Sequence, residues 1–224
     1  MLQVYLVRHG ETQWNAERRI QGQSDSPLTA HGERQAWQVG ERARTLGITH
    51  IIASDLGRTR RTAEIIAEAC GCSVMTDSRL RELDMGVLEK RHIDSLSEEE
   101  EGWRRQLVNG TPDGRIPQGE SMQELSDRMH AALTSCLELP AGSRPLLVSH
   151  GMALVRFWGC RHTRNAACVC VTAQFLALII SRVCGWHRAG SWKPRGMSRI
   201  LMPPRWMSYS VNDESESGIR SAAE

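Results

Sequence analysis

Four short stretches of this chain carry residue types able to handle a phosphoryl group: Arg8-His9-Gly10-Glu11-Thr12, Ser54 to Arg58, Arg81-Glu82, and Ser149-His150-Gly151. A neutral imidazole is a competent nucleophile near pH 7, so His9 could take a phosphoryl group directly, with no metal and no activated hydroxyl. Gly10 lets the main chain approach an anion closely while neighbouring N–H groups face it. Arg8, and Arg58 in the Gly57-Arg58-Thr59-Arg60 turn, offer planar forks that match phosphate oxygens two at a time and stabilise charge spread over them. His150 would add a donor to the same oxygens. Glu82 is the carboxyl that could protonate the leaving oxygen and later deprotonate an acceptor, provided a dry or anionic neighbourhood keeps the proton on it.

Taken singly, each residue has an ordinary reading. A histidine after a strand is more often a surface or hydrogen-bonded core residue, Arg58 to Arg61 could be a solvated helix start, and Glu82 beside Arg79 and Arg81 could be a surface ion pair. The elements that carry them argue otherwise. Leu2 to Val7 is a short apolar run ending at Arg8, the pattern of a buried strand feeding a loop. Thr29 to Leu46 spaces Ala36, Val39, Ala43 and Leu46 helically and stops at Gly47. Ile48 to Ala53 again reads as strand, and Thr59 to Cys70 as a helix ending at Gly71. Ser73 to Leu83 is a weaker strand candidate. Glu98 to Glu101 opens a charged, exposed helix containing Trp103, read as a lid or insertion. Ser121 with Glu124 forms a capping box for a helix running to about Leu139, and Pro145 to Ser149 is a fourth strand.

This alternation predicts an α/β fold, a mostly parallel sheet with helices on both faces in three layers. It places Arg8-His9, Ser54 to Arg58, Glu82 and His150 after strands one to four. Ligands of open α/β sheets bind outside the carboxyl ends of the strands, so four separate positions converge on one site by topology.

The same residues, read with their neighbours, resemble a known family. Arg8-His9-Gly10-Glu11-Thr12-x-Trp14-Asn15, Gln21-Gly22, Asp25, Leu28-Thr29 and Gly32 are one part of the match. Ser54-Asp55-Leu56-x-Arg58-x-x-x-Thr62-Ala63, Leu80-Arg81-Glu82 and Ser149-His150-Gly151 complete it. Together they resemble the histidine phosphatase superfamily and, within it, the B type of the phosphoglycerate mutase family, over about residues 1–155. The resemblance implies a phosphohistidine at His9, Glu82 as proton donor and acceptor, and His150 as transition-state stabiliser. It implies substrate contacts from Arg8, His9, Gly10, Glu11, Thr12, Gln13, Trp14, Asn15, Gln21, Gly22, Arg58 and Arg60. Glu82, Leu83, Asp84, Met85, Arg104, Arg105, Gly151 and Met152 complete that set.

No metal is expected; a mutase would use 2,3-bisphosphoglycerate as primer, and the partner would be a small phosphorylated metabolite. A mutase must keep water off phosphohistidine and hold a second anion, for which Arg104 and Arg105 are candidates. Glu82-Leu83-Asp84-Met85-Gly86 departs from the Glu-Arg-x-Tyr-Gly pattern of efficient mutases, which on chemistry favours a broad-specificity phosphomonoesterase as the alternative, while the family resemblance favours a phosphoglycerate mutase interconverting 2- and 3-phosphoglycerate. A metal-dependent hydrolase with His9 and His150 as ligands, and an inactive binder of phosphorylated ligands, are the rival classes.

The composition agrees with one sizeable domain: 224 residues, 28 basic and 26 acidic, net charge +2. No strong global field points to nucleic acid or to an anionic membrane. The N-terminus lacks a basic n-region and a long apolar run, which predicts a cytoplasmic location, and the seven cysteines read as free thiols. Cys168 and Cys170, with Cys160, Cys184, His162 and His187 nearby, have a spacing that fits no common structural zinc site.

Beyond Val155 the pattern changes. From Leu139 to Asn212 there is no Asp or Glu, and four of the seven Trp and four of the seven Cys lie past Val155. Ala166 to Ile180 is an apolar run of about 15 residues, short of the roughly 20 needed to span a membrane. A reading-frame change near residues 155–157 accounts for the break: Phe157 to Arg182, back-translated and read one frame over, can yield a stretch that resembles the family's continuation. On that reading residues 156–224 are a divergent, poorly structured tail, and the sheet loses its last strands and exposes an edge.

Overall fold

The structure is a computed structural model. It describes residues 2–109 and 111–154, and the backbone of Cys168–Cys170 and Phe175–Ile180. The strands are β1 (Leu2–Arg8), β2 (His50–Ala53), β3 (Val74–Thr76), β4 (Pro145–Ser149), β5 (Cys168–Cys170) and β6 (Phe175–Ile180). The helices are α1 (Gln13–Ala16), α2 (Ala30–Leu46), α3 (Gly57–Cys70), α4 (Glu98–Val108) and α5 (Met122–Ser135). The sheet order is β3-β2-β4-β1-β6-β5. Its first four strands pair in parallel, as the alternation of strand and helix predicts.

Side chains along β1 alternate between two cores, which is what a period of two produces in a sheet covered on both sides. Val4 and Leu6 join Leu147, Leu83, Leu107, Leu125 and Met129 on the face of α4 and α5. Tyr5 and Val7 join Leu146, Val148, Ile51, Val39, Ala43 and Ile66 on the face of α2 and α3. Three layers result, helices over sheet over helices.

The helix limits follow the local signals. Thr29 caps α2 by accepting from the Gly32 N–H, and Gly47 ends it in the left-handed conformation. Ser97 with Glu100 and Ser121 with Glu124 form capping boxes at the starts of α4 and α5. Four expectations need correction. The third strand is only Val74–Thr76, and Glu82 is reached through a 3-10 turn at Ser78–Leu80 rather than directly from a strand. Asp77 ends the strand by capping that turn. The helix expected to run to Leu139 ends at Ser135, and a 3-10 turn covers Cys136–Glu138. The helix carrying Trp103 is not wholly solvated, since Trp103 packs on the core with Met85 and Met152. Finally, β1 is not an open edge: β6 pairs with it antiparallel, Leu2 opposite Ile180 through Val7 opposite Phe175.

The domain boundary expected at residue 155 and the six Cys and His side chains weighed as a zinc cluster lie outside the residues whose side chains are described. Among the described residues, no helix is long and apolar enough to cross a membrane, and no group of three His, Cys, Asp or Glu side chains is placed to hold a metal ion.

Candidate active site

The site forms where β1 and β4 end side by side, with Arg8 in register with Ser149. The His9 N–H continues the ladder to the Ser149 carbonyl at 3.0 Å. His9 and His150, the residues that follow, meet edge to face with ring centroids 5.2 Å apart. His9 is 7 % exposed and His150 fully buried.

Two contacts fix the His9 ring. Nδ1 lies 2.7 Å from the Gly10 carbonyl, and Nε2 lies 3.3 Å from Arg58 Nε. A carbonyl can only accept and a guanidinium can only donate. The proton therefore resides on Nδ1, and Nε2 carries the lone pair, which accepts from Arg58 Nε. Gly10 has no room for a side chain, since a Cβ there would run into the Gly32 carbonyl; its N–H donates to Thr62 Oγ1 at 3.1 Å.

Arg58 is 2 % exposed and is held from three further sides. Nη1 donates to the Ser24 carbonyl at 2.7 Å and to Asp25 Oδ1 at 3.0 Å, and Nη2 donates to the Gly22 carbonyl at 2.7 Å. Gly22 presents its carbonyl from a left-handed conformation, φ +55°, which glycine adopts without strain. Asp25 also accepts the Arg58 main-chain N–H. It thereby caps α3, whose own N-cap residue, Leu56, has no oxygen to offer.

Glu82 is half-buried and lies across the start of the helical residues 151–154. Its Oε1 accepts the N–H of Leu83 and of Ala153, both at 2.9 Å, and its Oε2 accepts the N–H of Met152 at 3.1 Å. This surrounding is polar rather than dry, so of the two neighbourhoods expected the dry one is absent, and an anionic one would come with a bound phosphoryl group. Gly151 stands between Glu82 and Arg8: a Cβ on it would sit 3.7 Å from Glu82 Oε2 and 3.6 Å from Arg8 Nε. His150 Nε2 is 2.9 Å from Ser54 Oγ. Its Nδ1 is buried with no hydrogen-bond partner among the described residues, a condition that calls for an explanation.

The remaining expected residues fall into two groups. Around the loop after β1, the Glu11 carboxylate accepts from Thr29 and its N–H donates to Gln35. Thr12 and Asn15 form the capping box of α1, and Trp14 is half-buried, with its N–H on Ser26 Oγ. Gln21 is buried against Ser26, and Gln13 is exposed. On the other side, Leu83 is a core residue rather than a pocket wall. The Asp84 N–H and carbonyl pair with Glu120. Met85 and Met152 are half-buried on the same apolar cluster. Arg104 donates both of its fork ends to Glu101 within its own helix, while Arg60 and Arg105 are exposed.

Asp25 and Thr62 stand inside the motifs, but nothing in their spacing marks them as site residues, and Ser54, at the head of a candidate stretch, has no role assigned to it by sequence. Sequence reasoning missed Arg128 altogether, because an arginine on a helix has no local signature of what its fork will meet.

Burial pushes the His9 imidazole well below its ordinary value, and the guanidinium groups of Arg8 and Arg58 push in the same direction. His150 is lowered as well, by burial first and then by Arg58, His9, Arg8 and Arg128. Both rings are therefore neutral in the fold, whereas in the unfolded chain they titrate near pH 6.5. Below that pH the unfolded state binds more protons than the folded one, so stability falls as pH drops. Urea unfolding measured from pH 7.5 to 5 checks this. His150→Asn is expected to remove about one proton from the slope, and an unchanged slope would show that His150 is charged in the folded chain.

A buried imidazole whose unprotonated Nε2 faces a guanidinium, with a second arginine, a second imidazole and a carboxyl gathered at the ends of parallel strands, is an arrangement suited to an enzyme that handles phosphoryl groups. The chain belongs to the histidine phosphatase superfamily (branch 1), whose family model matches residues 4–159. It is 96 % identical over 154 residues to a protein of Klebsiella pneumoniae named "probable phosphoglycerate mutase GpmB", covering 69 % of this chain and 72 % of that one.

Among solved structures it is similar to a mycobacterial glucosyl-3-phosphoglycerate phosphatase in complex with VO3. There the TM-score is 0.66 and the identity 25 %, over 71 % of this chain and 81 % of the other. It is also similar to YhfR of Bacillus stearothermophilus, with a TM-score of 0.64 and 31 % identity, over 71 % of this chain and 79 % of the other.

Proposed function

We propose that this chain transfers phosphoryl groups through a phosphohistidine on Nε2 of His9 and acts as a phosphoglycerate mutase interconverting 2- and 3-phosphoglycerate. The observation that carries the chemical part is the tautomer: Nδ1–H is committed to the Gly10 carbonyl, so the Nε2 lone pair is the only one the ring can offer. Nε2 attacks phosphorus and the N–P bond forms as the P–O bond to the substrate breaks. The departing oxygen takes its proton from Glu82. In the return step the Glu82 carboxylate takes the proton of the incoming hydroxyl, an O–P bond forms and the N–P bond breaks. Arg8 and Arg58 counter the charge on the equatorial oxygens. His150, with Nδ1 otherwise without a partner among the described residues, donates to one of them.

The substrate part of the proposal leans on the name of the Klebsiella relative. It brings with it a small phosphorylated metabolite as ligand, a cytoplasmic location and 2,3-bisphosphoglycerate as primer. A second reading, hydrolysis of phosphomonoesters by the same site, is favoured by one observation. Glu101 accepts from Arg104 Nε and Nη2, and its carboxylate offsets one of the two cations expected to hold a second anionic group. Turnover of 3-phosphoglycerate with and without 2,3-bisphosphoglycerate separates the readings. Isomerisation that depends on the primer and outpaces phosphate release supports the mutase, and phosphate release without isomerisation supports the phosphatase. We also propose that residues 156–224 arise from a changed reading frame, which the coding DNA tests directly.

A further inference from the structure

Glu82 sits on a strap, residues 79–84, that belongs to no helix or strand apart from the end of one 3-10 turn. Such a segment has carbonyls that no regular ladder satisfies, and something else must hold them if its carboxyl is to be placed to a fraction of an ångström. Here a single side chain from α5 holds three of them, the third shared with Gln23 Nε2 at 3.3 Å. Arg128 Nη1 donates to the Arg79 carbonyl at 2.8 Å and to the Arg81 carbonyl at 2.6 Å, and Nη2 donates to the Glu82 carbonyl at 2.8 Å. The fourth carbonyl of the run, that of Leu80, accepts from Ser149 Oγ at 2.8 Å, one residue before His150.

Arg128 is itself oriented by Glu120, which receives Nε at 2.6 Å and Nη2 at 2.7 Å. Glu120 also closes the far end of the strap: its N–H donates to the Asp84 carbonyl at 3.0 Å, and its carboxylate accepts the Asp84 N–H at 3.4 Å. Both side chains are mostly buried, 19 % and 14 % exposed. A planar fork that reaches three carbonyls and one carboxylate at once is within the geometry of arginine and outside that of lysine.

We infer that Arg128, oriented by Glu120, is a positioning residue for proton transfer: it fixes the strap so that the Glu82 carboxyl meets the oxygen leaving the phosphoryl group. The inference rests on the reading of Glu82 as the proton donor. Arg128 touches no reacting atom, so its loss acts through where Glu82 stands. It therefore matters most for substrates whose leaving oxygen must be protonated as the P–O bond breaks.

The test compares kcat/KM for phenyl phosphate, a poor leaving group, with that for 2,4-dinitrophenyl phosphate, whose phenolate departs without help. In Arg128→Met the ratio of the two is expected to fall roughly 10- to 100-fold, the scale of a misplaced general acid. Glu82→Gln is expected to lower it further, and Arg128→Lys to give an intermediate ratio because it keeps the charge without the fork. A ratio unchanged in Arg128→Met while Glu82→Gln lowers it overturns the inference and leaves the Glu82 reading standing. A ratio unchanged in Glu82→Gln overturns both. If Arg128→Met does not fold, Glu120→Gln and Arg128→Lys carry the test, and an unchanged ratio in both of those folded variants overturns the inference.

Discussion

Replacing His9 with asparagine is expected to lower turnover by roughly four to six orders of magnitude, the scale seen when a covalent nucleophile is removed and only the surrounding binding site remains. The fold should tolerate the change. The asparagine amide can still donate to the Gly10 carbonyl that now receives His9 Nδ1 at 2.7 Å, and it places no charge in a buried site. The loss is therefore chemical rather than structural. Exposure of the parent protein to a phosphorylated substrate should leave an acid-labile, alkali-stable label on position 9, and the asparagine variant should carry none at a comparable melting temperature. Turnover retained in that variant would mean that another group attacks phosphorus.

The second large effect is expected at Arg58, where stability and rate fall together. Its guanidinium holds the carbonyls of Gly22 and Ser24 and one oxygen of Asp25. Arg58→Met keeps much of the side-chain volume but leaves those acceptors without their donor. The cost is on the order of 1 to 3 kcal/mol, set by the buried carbonyls left without a donor, since Asp25 is about a third exposed and water can reach its carboxylate. Loss of a cationic donor from the transferring phosphoryl group should lower kcat by a further factor of about 10² to 10³. Asp25→Asn separates the two contributions. It keeps an oxygen that can cap α3 and accept from Arg58, so it should cost far less stability while still loosening the fork. Urea unfolding gives the first quantity, and kcat/KM with vanadate inhibition gives the second. If Arg58→Met bound vanadate as tightly as the parent, Arg58 would be a structural residue and not part of the phosphate site.

Much of this protein could be read along the chain. Alternation in β1 and β4 set which side chains face each core, and helical spacing with Thr29 and Gly47 bounded α2. The ends of the parallel strands located His9, Arg58 and His150. These features are local: periodicity, caps and the direction of a βαβ connection are fixed by neighbours a few residues apart.

Tertiary structure alone decided the rest. Which nitrogen of His9 carries the proton depends on Gly10 and on Arg58, 49 residues away. The aim of Arg58 depends on the carbonyls of a loop bent at Gly22, and the setting of Glu82 on helix N–H groups at Met152 and Ala153, about 70 residues further on. The whole strap around Glu82 depends on Arg128. In each case a donor meets an acceptor from a distant segment, and such a meeting is set by how the layers pack, for which no residue pattern within one segment carries a signal.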